Sequence, residues 1–193
     1  MTGVFVAVVG PSGAGKDTLI AGARERLSAD GRFAFPRRAV TRESSRFEDH
    51  DVVSPERFAA LGAQGAFALS WAAHGLRYGI PAGVDGDLAQ GRAAVCNLSR
   101  GALGTAKARF PWVRVVLVTA PREILGERIL ARGRESAEEV ERRLDREAAK
   151  AMPPADCTVE NVGPVEGHIG RLVEFLLDLA EPRRGLAIAK AAS

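Results

Sequence analysis

The stretch GPSGAGKDT, residues 10–18, lies between a short apolar run, residues 4–9, and a helix-like segment that begins at Leu19. Strand, glycine-rich loop and helix in this order are the context that a phosphate-binding loop requires. Glycines at positions 10, 13 and 15 allow backbone angles that turn consecutive N–H groups inward onto phosphate oxygens. The helix N-terminus adds the positive end of its dipole, and Lys16 adds a full charge. A simple glycine-rich turn would explain Gly10 and Gly15 but not Lys16.

One position of the loop departs from the usual pattern. The residue after the lysine is ordinarily Ser or Thr, whose hydroxyl reaches Mg²⁺. This chain has Asp17 there, followed by Thr18. Either the Asp17 carboxylate ligates or adjoins the metal ion, or Asp17 caps the helix while Thr18 holds a phosphate. Asp17 and Thr18 are therefore the candidate metal residues.

The composition predicts one ordinary globular domain. The chain has 193 residues and a net charge of +3, with cysteines only at positions 96 and 157. Two cysteines within apolar runs indicate buried, reduced thiols and a cytoplasmic protein, and no apolar run reaches the roughly 18 residues that span a membrane. The arginines are scattered, with few aromatics between them, which favours small phosphorylated ligands over nucleic acid.

Strand-like and helix-like segments alternate along the chain, which predicts an α/β fold with a parallel central sheet covered on both faces. One domain is predicted over residues 1–181, with an insertion at about 34–92, an arginine-rich hinge near 132–137 and a tail, 182–193, without a packing signal. Residues 41–51 are predicted to form a loop. The predicted strands are 4–9, 33–40, 67–71, 76–80, 93–98, 113–119 and 157–160. The predicted helices are 17–28, 54–64, 84–90, 100–109, 121–131, 136–151 and 165–179.

Motifs along residues 4–179 resemble those of the guanylate-kinase-related branch of the P-loop kinases. After the loop come an RAVTR segment at 38–42, an EDHDVVS segment at 48–54 and an aromatic hairpin at 67–79. A basic lid pattern follows, with Arg128, an RGR triplet at 132–134 and Arg143. Within that branch, the chain most closely resembles the ribose 1,5-bisphosphate phosphokinase family. The resemblance implies a three-layer P-loop NTPase fold of the nucleoside-monophosphate-kinase type, with an acceptor-binding insertion and an arginine lid at about 132–143.

Three departures from guanylate kinases bear on the substrate. Ser70 stands where those enzymes have the acidic residue that reads guanine, and His50 stands where they have a tyrosine that holds the acceptor phosphate. The strand at 95–100 carries Asn97 and Arg100 but no carboxylate. An unpaired buried donor costs about 1–3 kcal/mol, so GMP is disfavoured as acceptor. Gly-Lys-Asp in the loop and Asn-x-Ser-Arg on this strand are what the ribose bisphosphate family implies.

The resemblance therefore implies an ATP-dependent, Mg²⁺-requiring phosphorylation of ribose 1,5-bisphosphate to 5-phospho-α-D-ribose 1-diphosphate, in phosphonate degradation. We hypothesise that Asp17 replaces the metal-positioning carboxylate absent from the strand. The catalytic candidates are Lys16, Arg132, Arg134 and Arg143. The nucleotide-binding candidates are Gly10, Pro11, Ser12, Gly13, Ala14, Gly15, Lys16, Asp17, Thr18 and Asn161. The candidates for binding the phosphorylated sugar are Arg38, Arg42, His50, Arg77, Tyr78, Asn97 and Arg100.

Several alternatives stay open at this point. The chain could be a nucleoside monophosphate kinase, or a non-catalytic guanylate-kinase-like module that binds phosphorylated peptides. Modules of that kind generally lack the loop lysine and the lid arginines. Arg143 could equally be a solvated helix arginine paired with Glu139 at i,i+4. His50 could be an ordinary loop residue.

Overall fold

A computed structural model describes residues 3–42, 50–133 and 135–181. Arg134, part of the predicted lid, and the predicted tail lie outside these ranges. The strands are β1 (Val4–Val9), β2 (Phe33–Ala34), β3 (Arg38–Val40), β4 (His50–Val52), β5 (Phe67–Ala73), β6 (Leu76–Pro81), β7 (Ala93–Asn97), β8 (Val113–Thr119) and β9 (Cys157–Glu160). The helices are α1 (Lys16–Arg26), α2 (Pro55–Ala63), α3 (Gly83–Ala89), α4 (Leu103–Arg109), α5 (Arg122–Leu130), α6 (Ala137–Ala148) and α7 (Val165–Ala180), and a 3₁₀ turn precedes α4.

The central sheet is parallel, with strand order β2-β7-β1-β8-β9. Strand β1 lies in the middle and is apolar throughout because both of its faces are covered. Val6 and Val8 belong to the core on the side of α1 and α7, whereas Phe5, Ala7 and Val9 belong to the core on the side of α3 and α4. This three-layer arrangement confirms the predicted fold class.

The insertion contains a second sheet of four strands in the order β4-β3-β6-β5. Two sequence predictions were wrong here. Residues 33–40 were predicted as one strand, but β2 joins the central sheet and β3 joins the insertion sheet, with Pro36 between them. Residues 41–51 were predicted as a loop, but His50 and Asp51 begin β4, which pairs in parallel with β3. Residues 43–49 lie outside the described ranges.

Helix α6 starts with a well-formed cap. The Ser136 hydroxyl accepts from the Glu139 N–H, and the Glu139 carboxylate accepts from the Ser136 N–H. This is the capping box that the sequence predicts.

No helix in the described ranges is long and apolar enough to cross a membrane. Both cysteines are free, with Cys96 buried and Cys157 partly buried.

Candidate active site

The loop between β1 and α1 has the backbone geometry of a phosphate cradle. Gly10, Gly13 and Gly15 all have positive φ angles, of 149°, 84° and 88°. A Cβ at position 10 would lie 1.9 Å from the Val118 carbonyl oxygen, so only glycine fits there without a backbone shift. Helix α1 begins directly after Gly15, and its N-terminus therefore faces the loop.

The Lys16 side chain lies across this loop. Its Nζ donates to the carbonyl oxygens of Gly10, at 2.9 Å, and Pro11, at 2.8 Å. Burial lowers the pKa of the Lys16 ammonium from its usual 10.5 to about 8. Neighbouring charges act on this pKa in both directions, the carboxylates raising it and the arginines lowering it; they are Asp17, Arg38, Glu147 and Arg132. Lys16 is thus a desolvated cation that can exchange carbonyl partners for phosphate oxygens.

Asp17 connects the loop to two other elements. Its carboxylate accepts from Arg38 Nη2 at 3.2 and 3.3 Å and from Asn97 Nδ2 at 2.6 Å. Thr18 is exposed and does not line the cavity described below. A helix turns by about 100° per residue, so Asp17 and Thr18 point in different directions. The predicted metal role of either residue stays a prediction.

A cavity of about 630 Å³ opens above the loop and extends to the insertion sheet. Its lining brings together residues from the loop, the insertion sheet, the end of β7 and the lid region. Seven of these residues are cationic and two are carboxylates. The cations are Lys16, Arg38, Arg42, Arg100, Arg132, Arg143 and Lys150, and the carboxylates are Asp17 and Glu147.

The insertion sheet supplies part of the predicted acceptor site. Arg38, Arg42 and Tyr78 line the cavity, and the Arg38 guanidinium lies over the Tyr78 ring, 5.7 Å from its centroid. Arg77 does not line the cavity, because alternation along β6 exposes it on the opposite side from Tyr78. His50 is buried behind the lining, with Nε2 3.3 Å from the Arg42 carbonyl oxygen. It can therefore support Arg42 from behind.

Asn97, at the end of β7, and Arg100, in the turn that follows, both line the cavity, and their predicted contact with the sugar phosphate stays a prediction. Arg100 is committed mainly to the C-terminal end of α6. Its Nη2 donates to Glu147 Oε2 at 2.5 Å and its Nη1 to the Lys150 carbonyl oxygen at 3.2 Å. The Arg100 and Glu147 side chains are only 6% and 8% exposed, so this is a buried ion pair. Arg100 thereby links α6, called the lid helix below, to the central sheet.

Arg143 reaches from α6 to the tip of the loop. Its Nη2 donates to Ser12 Oγ at 2.9 Å, and its Nη1 pairs with the Glu135 carboxylate. The alternative partner Glu139 forms the helix cap instead. Arg132 also lines the cavity. The structure therefore brings the loop and two of the predicted lid arginines to one site.

Four of the nucleotide-binding candidates do not line the cavity. They are Pro11, Ala14, Thr18 and Asn161. The Ala14 side chain is buried beneath the loop. Asn161, also buried, follows β9, and its Nδ2 donates to the Ala14 carbonyl oxygen at 2.8 Å. Asn161 therefore supports the loop from below. Its predicted role beside adenine stays a prediction.

Comparison with known proteins identifies the family. No family model matches the chain. The chain is 47% identical over 174 residues to a ribose 1,5-bisphosphate phosphokinase from Rhodopseudomonas palustris, covering 90% of this chain and 88% of that protein. It is also 47% identical over 176 residues to the protein of the same name from Methylobacterium radiotolerans, covering 91% of this chain and 98% of that one. The chain belongs to the ribose 1,5-bisphosphate phosphokinase family. The resemblance stated from the sequence motifs is confirmed.

Solved structures agree on the fold of this family member. A guanylate kinase from Anaplasma phagocytophilum superposes with a TM-score of 0.66 at 17% identity, covering 94% of this chain and 88% of that one. At this identity the likeness shows the fold alone. It confirms the three-layer P-loop fold that the family resemblance implied.

Two charged residues of the cavity were missed by the sequence analysis. Glu147 and Lys150 were given no role within the helix predicted over residues 136–151. A signal was present, because Val140, Leu144 and Glu147 are spaced at i, i+4 and i+7 and so share one face of α6. All three are buried. A carboxylate on the apolar stripe of a helix needs a cationic partner, and Arg100 provides it.

Proposed function

We propose that this chain transfers the γ-phosphoryl group of ATP to ribose 1,5-bisphosphate, giving ADP and 5-phospho-α-D-ribose 1-diphosphate. The observation that carries this proposal is the charge of the cavity, where seven cations face two carboxylates. Each phosphate monoester carries about −1.5 to −2 at neutral pH, so a nucleoside triphosphate and a sugar bisphosphate together demand a strongly cationic enclosure. Phosphonate degradation is the pathway that the family resemblance suggests.

The reaction joins an oxygen of the C1 phosphate to the γ-phosphorus while the bond to the β,γ-bridging oxygen breaks. The attacking oxygen is already anionic, so catalysis rests on positioning and charge neutralisation. The loop amides and Lys16 bind the β- and γ-phosphates. Arg132 and Arg143 neutralise the transferring group, and the predicted Arg134 would join them. Arg38, Arg42 and Tyr78 face the acceptor.

Mg²⁺ is the metal that this chemistry uses, and when bound it neutralises the β- and γ-phosphate oxygens. The described residues contain no group of three or more His, Cys, Asp or Glu that could hold a metal. A nucleotide-bound Mg²⁺ needs few protein ligands because phosphates and waters supply the rest. The Asp17 carboxylate lies beside Lys16 in the cavity and fits such a role, although Arg38 and Asn97 already contact it.

The cavity also bears on the nucleoside monophosphate kinase alternative. Reading guanine requires an acceptor carboxylate, and Ser70 at the corresponding position is exposed and outside the lining. The two carboxylates of the lining, Asp17 and Glu147, both accept from basic or amide side chains. Because both carboxylates already have these donors, neither is placed to accept hydrogen bonds from a purine base. This supports a sugar phosphate as acceptor. Retention of Lys16 and the lid arginines supports an enzyme over a binding module.

An acceptor panel tests the proposal. ADP release is measured with ribose 1,5-bisphosphate, GMP and AMP, and ³¹P NMR follows the new diphosphate. We expect kcat/KM for the sugar bisphosphate to exceed that for either nucleotide by at least about a hundredfold, or about 3 kcal/mol. A preference for GMP or AMP would establish the nucleotide kinase instead. Failure to bind ATP in a calorimetric titration would favour the non-catalytic module.

The pH profile reports the state of Lys16. Since burial brings its pKa to about 8, the free enzyme loses the ammonium as pH rises through that value. We expect kcat/KM for ATP to fall tenfold per pH unit above about 8. In kcat the fall should lie at higher pH, because bound polyphosphate stabilises the ammonium. A flat kcat/KM profile between pH 7 and 9.5 would show that the Lys16 charge is not lost there.

A further inference from the structure

Asp17 lies where three elements of the fold meet. It belongs to the first turn of α1, while Arg38 is the first residue of β3 and Asn97 the last residue of β7. Arg38 Nη2 donates to both carboxylate oxygens, and Asn97 Nδ2 donates to Oδ1. The Arg38 and Asp17 side chains are 11% and 18% exposed, and all three residues line the cavity. The carboxylate therefore joins the nucleotide loop to the insertion sheet.

The contact fixes one end of the Arg38 guanidinium and leaves another donor unmet. Arg38 Nε is buried and has no hydrogen-bond partner among the described residues. The guanidinium plane is also held over the Tyr78 ring. An arginine held on two sides presents its remaining N–H groups in a fixed direction, and planar guanidinium donors match phosphate geometry. Because Arg38 lines the cavity, the held guanidinium can donate to a phosphate oxygen there.

Asp17 is close to two cations to which the proposed function gives different phosphates. It directly follows Lys16 in the chain and pairs with Arg38. Arg38 lowers the pKa of Lys16 and Asp17 raises it, so the carboxylate offsets the repulsion between the two cations. With Asp17 in place, the Arg38 guanidinium is held at the first turn of α1. The pair thus fixes the position from which Arg38 would meet the acceptor phosphate.

We propose that Asp17 is a positioning residue for the acceptor, acting through Arg38, and that it determines affinity for the acceptor phosphate. The inference rests on the proposed function for the identity of that acceptor. In the metal role predicted from the sequence, Asp17 acts on Mg²⁺, whereas in this proposal it acts on Arg38. The two roles are separable, because one governs the acceptor KM and the other governs the Mg²⁺ requirement.

The test uses the full chain with Asp17→Asn, which keeps the size of the side chain and an oxygen that can accept from Asn97. We expect the acceptor KM to rise about tenfold or more, while the ATP KM and the half-saturating Mg²⁺ concentration change by less than about threefold. Calorimetric binding of the acceptor should weaken in parallel. Asp85→Asn is the matched control, because it removes an exposed carboxylate paired with Arg109 outside the cavity.

A double-mutant cycle tests whether the effect passes through Arg38. In the Arg38→Met background, Asp17→Asn should leave the acceptor KM unchanged within about twofold, because the side chain that it positions is absent. Equal effects of Asp17→Asn in both backgrounds would overturn the inference. So would a rise in the Mg²⁺ requirement with an unchanged acceptor KM, which would establish the metal role.

The acceptor used is the panel member that the wild-type chain turns over best. If that is not ribose 1,5-bisphosphate, the proposed function fails while the role of Asp17 is still measured. If the sugar bisphosphate is turned over and its KM ignores Asp17, the function stands and the inference fails.

Discussion

We expect Lys16→Met to lower kcat/KM for ATP by about a thousandfold, equivalent to about 4 kcal/mol of transition-state stabilisation. Methionine keeps an unbranched stem of similar length but removes the charge. The Lys16 ammonium is largely desolvated and sits directly on the loop, 2.8–2.9 Å from two of its carbonyl oxygens. In such a site a single preorganised cation contributes far more than it would in water. Steady-state ADP release at fixed acceptor measures the loss.

The control for Lys16→Met is Lys107→Met, which removes an exposed lysine of α4 and should leave kcat/KM within about twofold. Thermal unfolding separates a catalytic loss from misfolding. The native state bears the cost of burying the Lys16 charge, so the variant should unfold within a few degrees of the wild type. A tenfold or smaller loss of kcat/KM in a folded Lys16→Met variant would contradict the role given to Lys16.

The local part of the site could be predicted from the sequence because its signals lie within a few residues. The apolar run of β1, the three loop glycines and Lys16 are contiguous, and their geometry follows from backbone preferences. The capping box at Ser136 is local in the same sense. All of these features are in the structure as predicted.

The contacts that organise the cavity could not be predicted in this way. Asp17 meets Arg38 and Asn97 across 21 and 80 residues of chain, and Arg143 meets Ser12 across 131. Such pairs depend on how the insertion sheet and the lid helix dock onto the central sheet. The division of residues 33–40 between two sheets has the same origin, since strand propensity alone does not say which sheet a segment joins.

Burial also changes the roles that the sequence predicted for His50 and Arg100. His50 was a candidate ligand because it replaces a tyrosine, yet pairing of β4 with β3 turns its side chain into the protein, where it is 2% exposed. Arg100 was predicted to bind the phosphorylated sugar, yet its guanidinium forms an ion pair with Glu147 of α6. Removing one partner of such a buried pair leaves an uncompensated charge, so Arg100 and Glu147 belong to the scaffold of the site as much as to its chemistry.

The second large effect concerns the lid. We expect Arg143→Lys to lower kcat by about a hundredfold while raising the ATP KM by less than about tenfold. Lysine keeps the charge but cannot contact two partners in one plane. Arg143 does so in the structure, with one nitrogen on Ser12 at the loop tip and the other on Glu135. Single-turnover measurement of ADP formation isolates the chemical step.

The neighbouring Arg142→Lys supplies the matched control, because Arg142 lies exposed on the same turn of α6 and does not line the cavity. Its kcat should stay within about twofold of the wild type. If Arg143→Lys behaved like Arg142→Lys, Arg143 would be no more than a helix arginine that pairs with Glu135. A selective loss in kcat would instead mean that the guanidinium contacts the transferring phosphoryl group in the transition state, because a contact made equally in the ground state would appear in KM.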